Sequence, residues 1–299
     1  MMARYVLSWR LWRALNRPPM AHPYFRRLLN EHNRSTWERV RTGLWMVTAL
    51  LTVILLVVLP VVFFVVLLLA PVIYAMLTTT FYCTLWAMDI AGTVAREQTR
   101  RTYELLGLMP VGALGVNWII GLGRVHYKNG LARSLEDVFA TIQLLACILV
   151  FALVGVLLSR PGEDQLQLGL FVLMLIALII GVYADHGQST LICICVGLIA
   201  ARQTRTVGDA RLWAGLCFVA LQVVSYLGLL LTVLLTANAL GLSAYSLALP
   251  PFTLLLTLIW RELLLRSLWA WALRNLNATE CDLHLVAQYA YAPTRSNDG

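Results

Sequence analysis

Apolar and polar positions are segregated along this chain in blocks rather than alternating. Leu44 to Met88 is 45 residues without a charge, and a second uncharged run covers Gln165 to Ala184. Such runs exceed what a core helix of a soluble domain carries, and they mark membrane spans. A single helix of 45 residues would be about 68 Å long, roughly twice the hydrocarbon thickness, so the first run must cross twice. Pro60 and Pro71 bracket the expected reversal. The resulting spans are about 44–65, 69–90, 135–158, 168–201, 212–236 and 248–268. The chain is therefore expected to be an all-α polytopic membrane protein with six crossings and both termini in the cytosol. Residues 1–43 form a basic cytoplasmic segment, 44–270 the transmembrane domain, 95–133 a cytoplasmic segment within it, and 271–299 a cytoplasmic tail.

Composition agrees with this division, since 60% of the 299 residues are apolar and 13% are charged, about half the charged share of a soluble domain. The net charge of +8 comes from 22 Arg and one Lys, Lys128. Under six crossings, 22 of these 23 lie inside and Arg160 alone lies outside. That asymmetry is the positive-inside signal, and it assigns the charge to topology and anionic lipid rather than to nucleic acid. The start of the chain lacks a continuous apolar signal core. Its interleaved Arg4, Tyr5, Trp9, Arg10, Trp12 and Arg13 are expected to be retained, cytoplasmic and laid on the lipid surface. Pro23 to Gly43 reads as either an interfacial elbow helix or a basic flank that fixes orientation.

The fourth span is interrupted by Asp185-His186-Gly187-Gln188. One crossing by a tilted or broken helix keeps the arginine balance, whereas two would export several Arg. An ionised Asp near mid-bilayer costs about 2.5–3.5 kcal/mol unless satisfied. Asp185, His186 and Gln188 are therefore candidates for a polar step in a translocation path. The other reading is a helix broken at Gly187 around a hydrated vestibule. An intramembrane enzyme using Asp185 and His186 is disfavoured, because neighbours on a helix point about 100° apart. A secondary transporter would show paired broken helices in two related halves, and one interruption is evident.

Cys83, Cys147, Cys193, Cys195 and Cys217 fall in apolar stretches, with no disulfide framework or metal spacing. Glu280, Cys281, Asp282 and His284 in the tail read as solvated residues. No catalytic, cofactor-binding or metal-ligating set is expected. No G-x-x-x-x-G-K loop is present, so ATP is not bound in the P-loop manner.

The segment after the second span reads Arg96-Glu97-Gln98-Thr99-Arg100-Arg101-Thr102-Tyr103-Glu104-Leu105-Leu106-Gly107-Leu108-Met109-Pro110. Local physics makes it a charged, partly apolar cytosolic helix, with Glu97 able to pair with Arg100 or Arg101. Glu97, Thr102, Glu104, Leu105, Leu106 and Pro110 match in order the pattern of ABC-2 type permeases, the membrane subunits of ATP-driven exporters. Arg101 stands where that family usually has Gly, with one extra residue between Glu97 and Thr102. The resemblance covers most of 23–270. It implies a coupling helix that docks on a separate ABC ATPase subunit through Glu97, Thr102, Tyr103, Glu104, Leu105, Leu106 and Pro110. It further implies that ATP and Mg are held by that partner, that the chain works as a homodimer or paired permease, and that it sits in the plasma membrane.

Overall fold

A computed structural model describes residues 6–20, 22–30, 63–100, 112–158, 163–239 and 249–276. All regular structure among them is helical: α1 (Leu7–Leu15), α2 (Pro23–Asn30), α3 (Phe63–Thr99), α4 (Gly112–His126), a 3-10 turn (Tyr127–Asn129), α5 (Gly130–Leu158), α6 (Glu163–Gln203), α7 (Val207–Ala239) and α8 (Leu249–Leu276). Three stretches are long and apolar enough to cross a membrane, namely Gly130–Phe151, Phe171–Gln203 and Val207–Thr236. The protein is an all-helical membrane protein. The expected first span at 44–65, the loop with Arg160 and the tail residues Glu280 to His284 lie outside the described residues.

α6 is the axis of the bundle, with α3, α5, α7 and α8 packed around it. Its cross-helix contacts fix the directions. Thr79 meets His186, Cys83 meets Thr190 and Ile90 faces Gly197, so α3 runs parallel to α6. Leu254 faces Gly181 and Arg261 meets Asp185, so α8 is parallel too. Gln222 meets Ser189 and Tyr226 meets Asp185, so α7 is antiparallel. α5 opposes α3, with Gly130 beside Trp86 and Asp137 bonded to Tyr82.

The apolar face of α7 is exposed from Leu212 through Leu216, Val223, Leu227 and Leu231 to Leu235. At 1.5 Å per residue that band is about 35 Å long, close to the hydrocarbon thickness. Packing differs between its halves. Every residue from Gln188 to Ala201 of α6 is buried, whereas Phe171 to Ala184 alternates between exposed and covered. The covering elements are α3 and α4. Leu114 to Val125 of α4 is buried all round, as its apolar Gly-punctuated sequence requires. Gly121 admits Ile194 and Gly123 admits Leu28 of α2, both at distances a Cβ would close. α4 is thus a buried helix at the end of the bundle where Leu191 to Ala201 of α6 pack.

Three expectations need correction. Pro71 does not mark the reversal, because α3 begins at Phe63 and continues through it. Pro71 stands past the first turn and costs one backbone hydrogen bond, a loss that membrane helices tolerate where neighbouring groups satisfy the freed carbonyl. α1 does not lie on the lipid surface. It packs against α6 and α8, with Leu11 and Leu15 in the core. Its amphipathic pattern suits a groove between helices as well as a headgroup layer. Finally, α6 is not broken at Gly187, since its helix is continuous from Glu163 to Gln203.

Candidate functional site

The unbroken α6 turns its successive polar residues toward different neighbours. Asp185 faces α7 and α8, where its Oδ1 accepts a hydrogen bond from Nη2 of Arg261 and its Oδ2 accepts one from Tyr226 Oη at 2.9 Å. Arg261 Nη1 donates to Gln222 Oε1 at 3.1 Å, and the guanidinium carbon lies 4.8 Å from the Tyr226 ring centre. Gln222 Nε2 donates to Ser189 Oγ at 3.1 Å and to Tyr226 Oη at 2.7 Å. The Arg261 side chain is 1% exposed and that of Asp185 13%. Gln222 and Tyr226 sit near the middle of the exposed band of α7, so this is an ion pair in the apolar zone, closed by hydrogen bonds from three helices. Such closure is what offsets the desolvation of two charges. It also places a hydrogen bond on each oxygen of Asp185.

Arg261 had been counted among the cytosolic basic residues. It belongs instead to the membrane zone, paired with the acid that needed a partner. Arg261, Gln222 and Tyr226 were missed as site residues. The available signal was a Gln inside the uncharged span 212–236 and the Arg261-Glu262 pair inside the span 248–268.

His186 points elsewhere. Its Nδ1 lies 3.2 Å from Thr79 Oγ1 on α3, and its ring meets Trp12 of α1 edge-on at 6.3 Å. It is wholly buried. Asp185 and His186 therefore serve different interfaces, as the helical rotation requires. Gln188, 7% exposed, carries an Oε1 with no hydrogen-bond partner among the described residues. It borders a cavity of about 510 Å³ between α1, α6 and α8. The cavity owes its shape to the seating of α1. Glu262, the residue after Arg261, accepts hydrogen bonds from the backbone N–H of Leu7 at 2.7 Å and of Ser8 at 3.3 Å. These amides open α1 and have no partner within the helix, so the carboxylate of α8 caps it. Arg266 Nε in turn donates to Glu262 Oε1 at 3.1 Å.

No family model, no curated protein and no solved structure matches this chain. The chemistry of the site rests on its own geometry. Among the described residues no group of three or more His, Cys, Asp or Glu side chains is placed to hold a metal ion. Cys83, Cys193 and Cys195 are buried free thiols, and Cys147 is exposed.

Of the coupling candidates, Glu97 is buried near the end of α3 and does not stand out as a free charge. Thr102, Tyr103, Glu104, Leu105, Leu106 and Pro110 lie outside the described residues. Asp89 sits 3.8 Å from Arg211 in a half-exposed pair, which contributes little to stability.

Proposed function

We propose that the chain is the membrane-spanning permease subunit of an ABC-2 type exporter in the plasma membrane. It would make six crossings with both ends in the cytosol, work as a homodimer or paired permease among membrane lipids, and rely on a separate ABC ATPase for ATP and Mg. The observation that carries this reading is the course of α3. It continues as helix beyond the apolar zone to Thr99 and leads directly into the segment from Thr102 to Pro110 that resembles a coupling helix. The alternating directions of α3, α5, α6, α7 and α8 are those that successive crossings demand. They keep Arg96, Arg100, Arg202, Arg205 and Arg274 at one end.

The competing readings, a secondary transporter and an intramembrane enzyme, both needed an opened helix around Asp185 and His186. A continuous α6 and a carboxylate held by Arg261 and Tyr226 remove that support. Of the three residues expected in a translocation path, Gln188 borders the cavity between α1, α6 and α8. Co-expression with a candidate ABC ATPase, sought among the neighbouring genes, is the test. Glu104→Arg should leave membrane insertion intact and abolish co-purification of the ATPase. A complex that still forms and still transports would refute the coupling assignment.

A further inference from the structure

We propose that the recess between α1, α6 and α8 binds a single-chain amphiphile from the bilayer, its chain between Trp9, Trp12, Leu258 and Leu263 and its uncharged, hydrogen-bonding head on the Gln188 amide. The lining is overwhelmingly apolar, and a volume of about 510 Å³ falls within the range of small-molecule sites. Ile259 and Leu263, on its rim, are exposed on the side of α8 that also carries exposed Leu255. Entry is therefore from the lipid rather than from water.

The chemistry of the head follows from which polar groups are already engaged. Glu262 is held by Arg266 and by two backbone amides of α1, so neither charge at the rim is left over for an ionic head. Gln188 is different. It is more than nine-tenths buried, it borders the recess, and its carbonyl oxygen has no partner among the described residues. A buried amide of this kind is complemented by a hydroxyl, which can both donate and accept. A second recess of about 530 Å³ lies between α6, α7 and α8, lined by Val196, Trp213, Cys217, Leu221 and Trp271. It borders no buried side-chain polar atom lacking a partner, which makes it a control for plain partitioning.

This proposal stands whether or not an ATPase drives the chain, because the assay needs no partner. The full-length protein in lipid nanodiscs is exposed to a diazirine-bearing hexadecanol, photolysed, digested and mapped by mass spectrometry. Saturable labelling is expected on α1, around 183–191 of α6 and around 258–266 of α8. Unlabelled hexadecanol should compete at least about fivefold better than hexadecane, the factor that one net hydrogen bond supplies. Gln188→Leu should remove that difference, and Leu258→Trp should abolish the labelling by filling the recess. Labelling that does not saturate, or that falls equally on the exposed face of α7, would overturn the site. An unchanged preference for the alcohol in Gln188→Leu would overturn the assignment of the head. Should Leu258→Trp fail to fold, the competition in wild type and Gln188→Leu still decides.

Discussion

Replacing Asp185 tests whether the charged junction is a structural staple or a transport step. With Asp185→Leu, a guanidinium that is 1% exposed loses its counter-charge, and Tyr226 Oη loses its acceptor. Breaking one side of a buried pair costs about 3–5 kcal/mol. At roughly 2–3 °C per kcal/mol for a chain of this order, the melting temperature should fall by roughly 6–15 °C. The converse change, Arg261→Met, should cost less, because an orphaned carboxylate can take up a proton whereas a guanidinium cannot shed one. The double variant Asp185→Leu/Arg261→Met removes both charges and should recover most of the loss, giving a coupling of about 2–4 kcal/mol. Melting in detergent, followed by fluorescence-detected size exclusion, reads all four corners of the cycle. Single variants that melt with the wild type, or a double variant as unstable as Asp185→Leu, would refute the staple. A path residue would instead leave melting unchanged and alter transport in Asp185→Asn.

Other consequences can be checked separately. Burial lowers the pKa of His22 and of His126 below the ordinary 6.5, so both are neutral when α2 is docked. The associated stability is complete above about pH 6.5 and is lost as pH falls through the lowered folded values. Amide exchange over Pro23–Asn30 should therefore quicken between pH 7.5 and 5, and His126→Leu should blunt the effect; equal protection at both pH values would contradict it. Gly197→Ala places a Cβ 2.9 Å from the Ala87 carbonyl oxygen and 3.0 Å from Ile90 Cβ, so it should destabilise by about 1–3 kcal/mol. Gly181→Ala, whose nearest neighbour is Leu254 at 3.7 Å, should melt close to wild type. Cys147 is exposed on α5 while Cys83, Cys193 and Cys195 are buried. A lipid-soluble maleimide should modify Cys147 in intact membranes, and a charged thiosulfonate should modify none of the four.

Much of the helical plan was legible because hydrocarbon thickness imposes a minimum length on apolar runs. The spans expected at 135–158, 168–201 and 212–236 fall on α5, α6 and α7, the helices with stretches long and apolar enough to cross, and 248–268 falls within the helical segment of α8. Each helix extends past its apolar run, since leaving lipid is no reason for a helix to end. The interruption at Asp185 to Gln188 left both a tilted and a broken helix open for a related reason. Hydropathy scores a polar residue as leaving the membrane, whereas Arg261, distant by 76 positions, satisfies it in place. α1 was likewise ambiguous, because a short helix with Trp and Arg on opposite faces suits a lipid surface and a groove equally. Glu262, the group that captures it, is 255 positions from Leu7, beyond any local pattern.

The same rotation that disqualified Asp185 and His186 as a catalytic pair explains why they occur together. Neighbours on a helix diverge by about 100°, so two adjacent polar residues can bind two different elements at one height. On α6, Asp185 takes α7 and α8 while His186 takes α3 and touches α1. On α8, Arg261 takes α6 and α7 while Glu262 takes α1. Four consecutive-pair residues thus tie five helices in one layer, in a zone where the hydrophobic effect gives no preference for helix over lipid. Packing around Leu191 to Ala201 of α6 is dense and apolar. Toward the other end α6 is only partly covered, so the polar layer marks where cohesion by close packing gives way to cohesion by directed bonds. The amphiphile recess opens at that boundary, because α1 is attached there by its N-terminal amides and a few apolar side chains rather than by a full helix–helix interface.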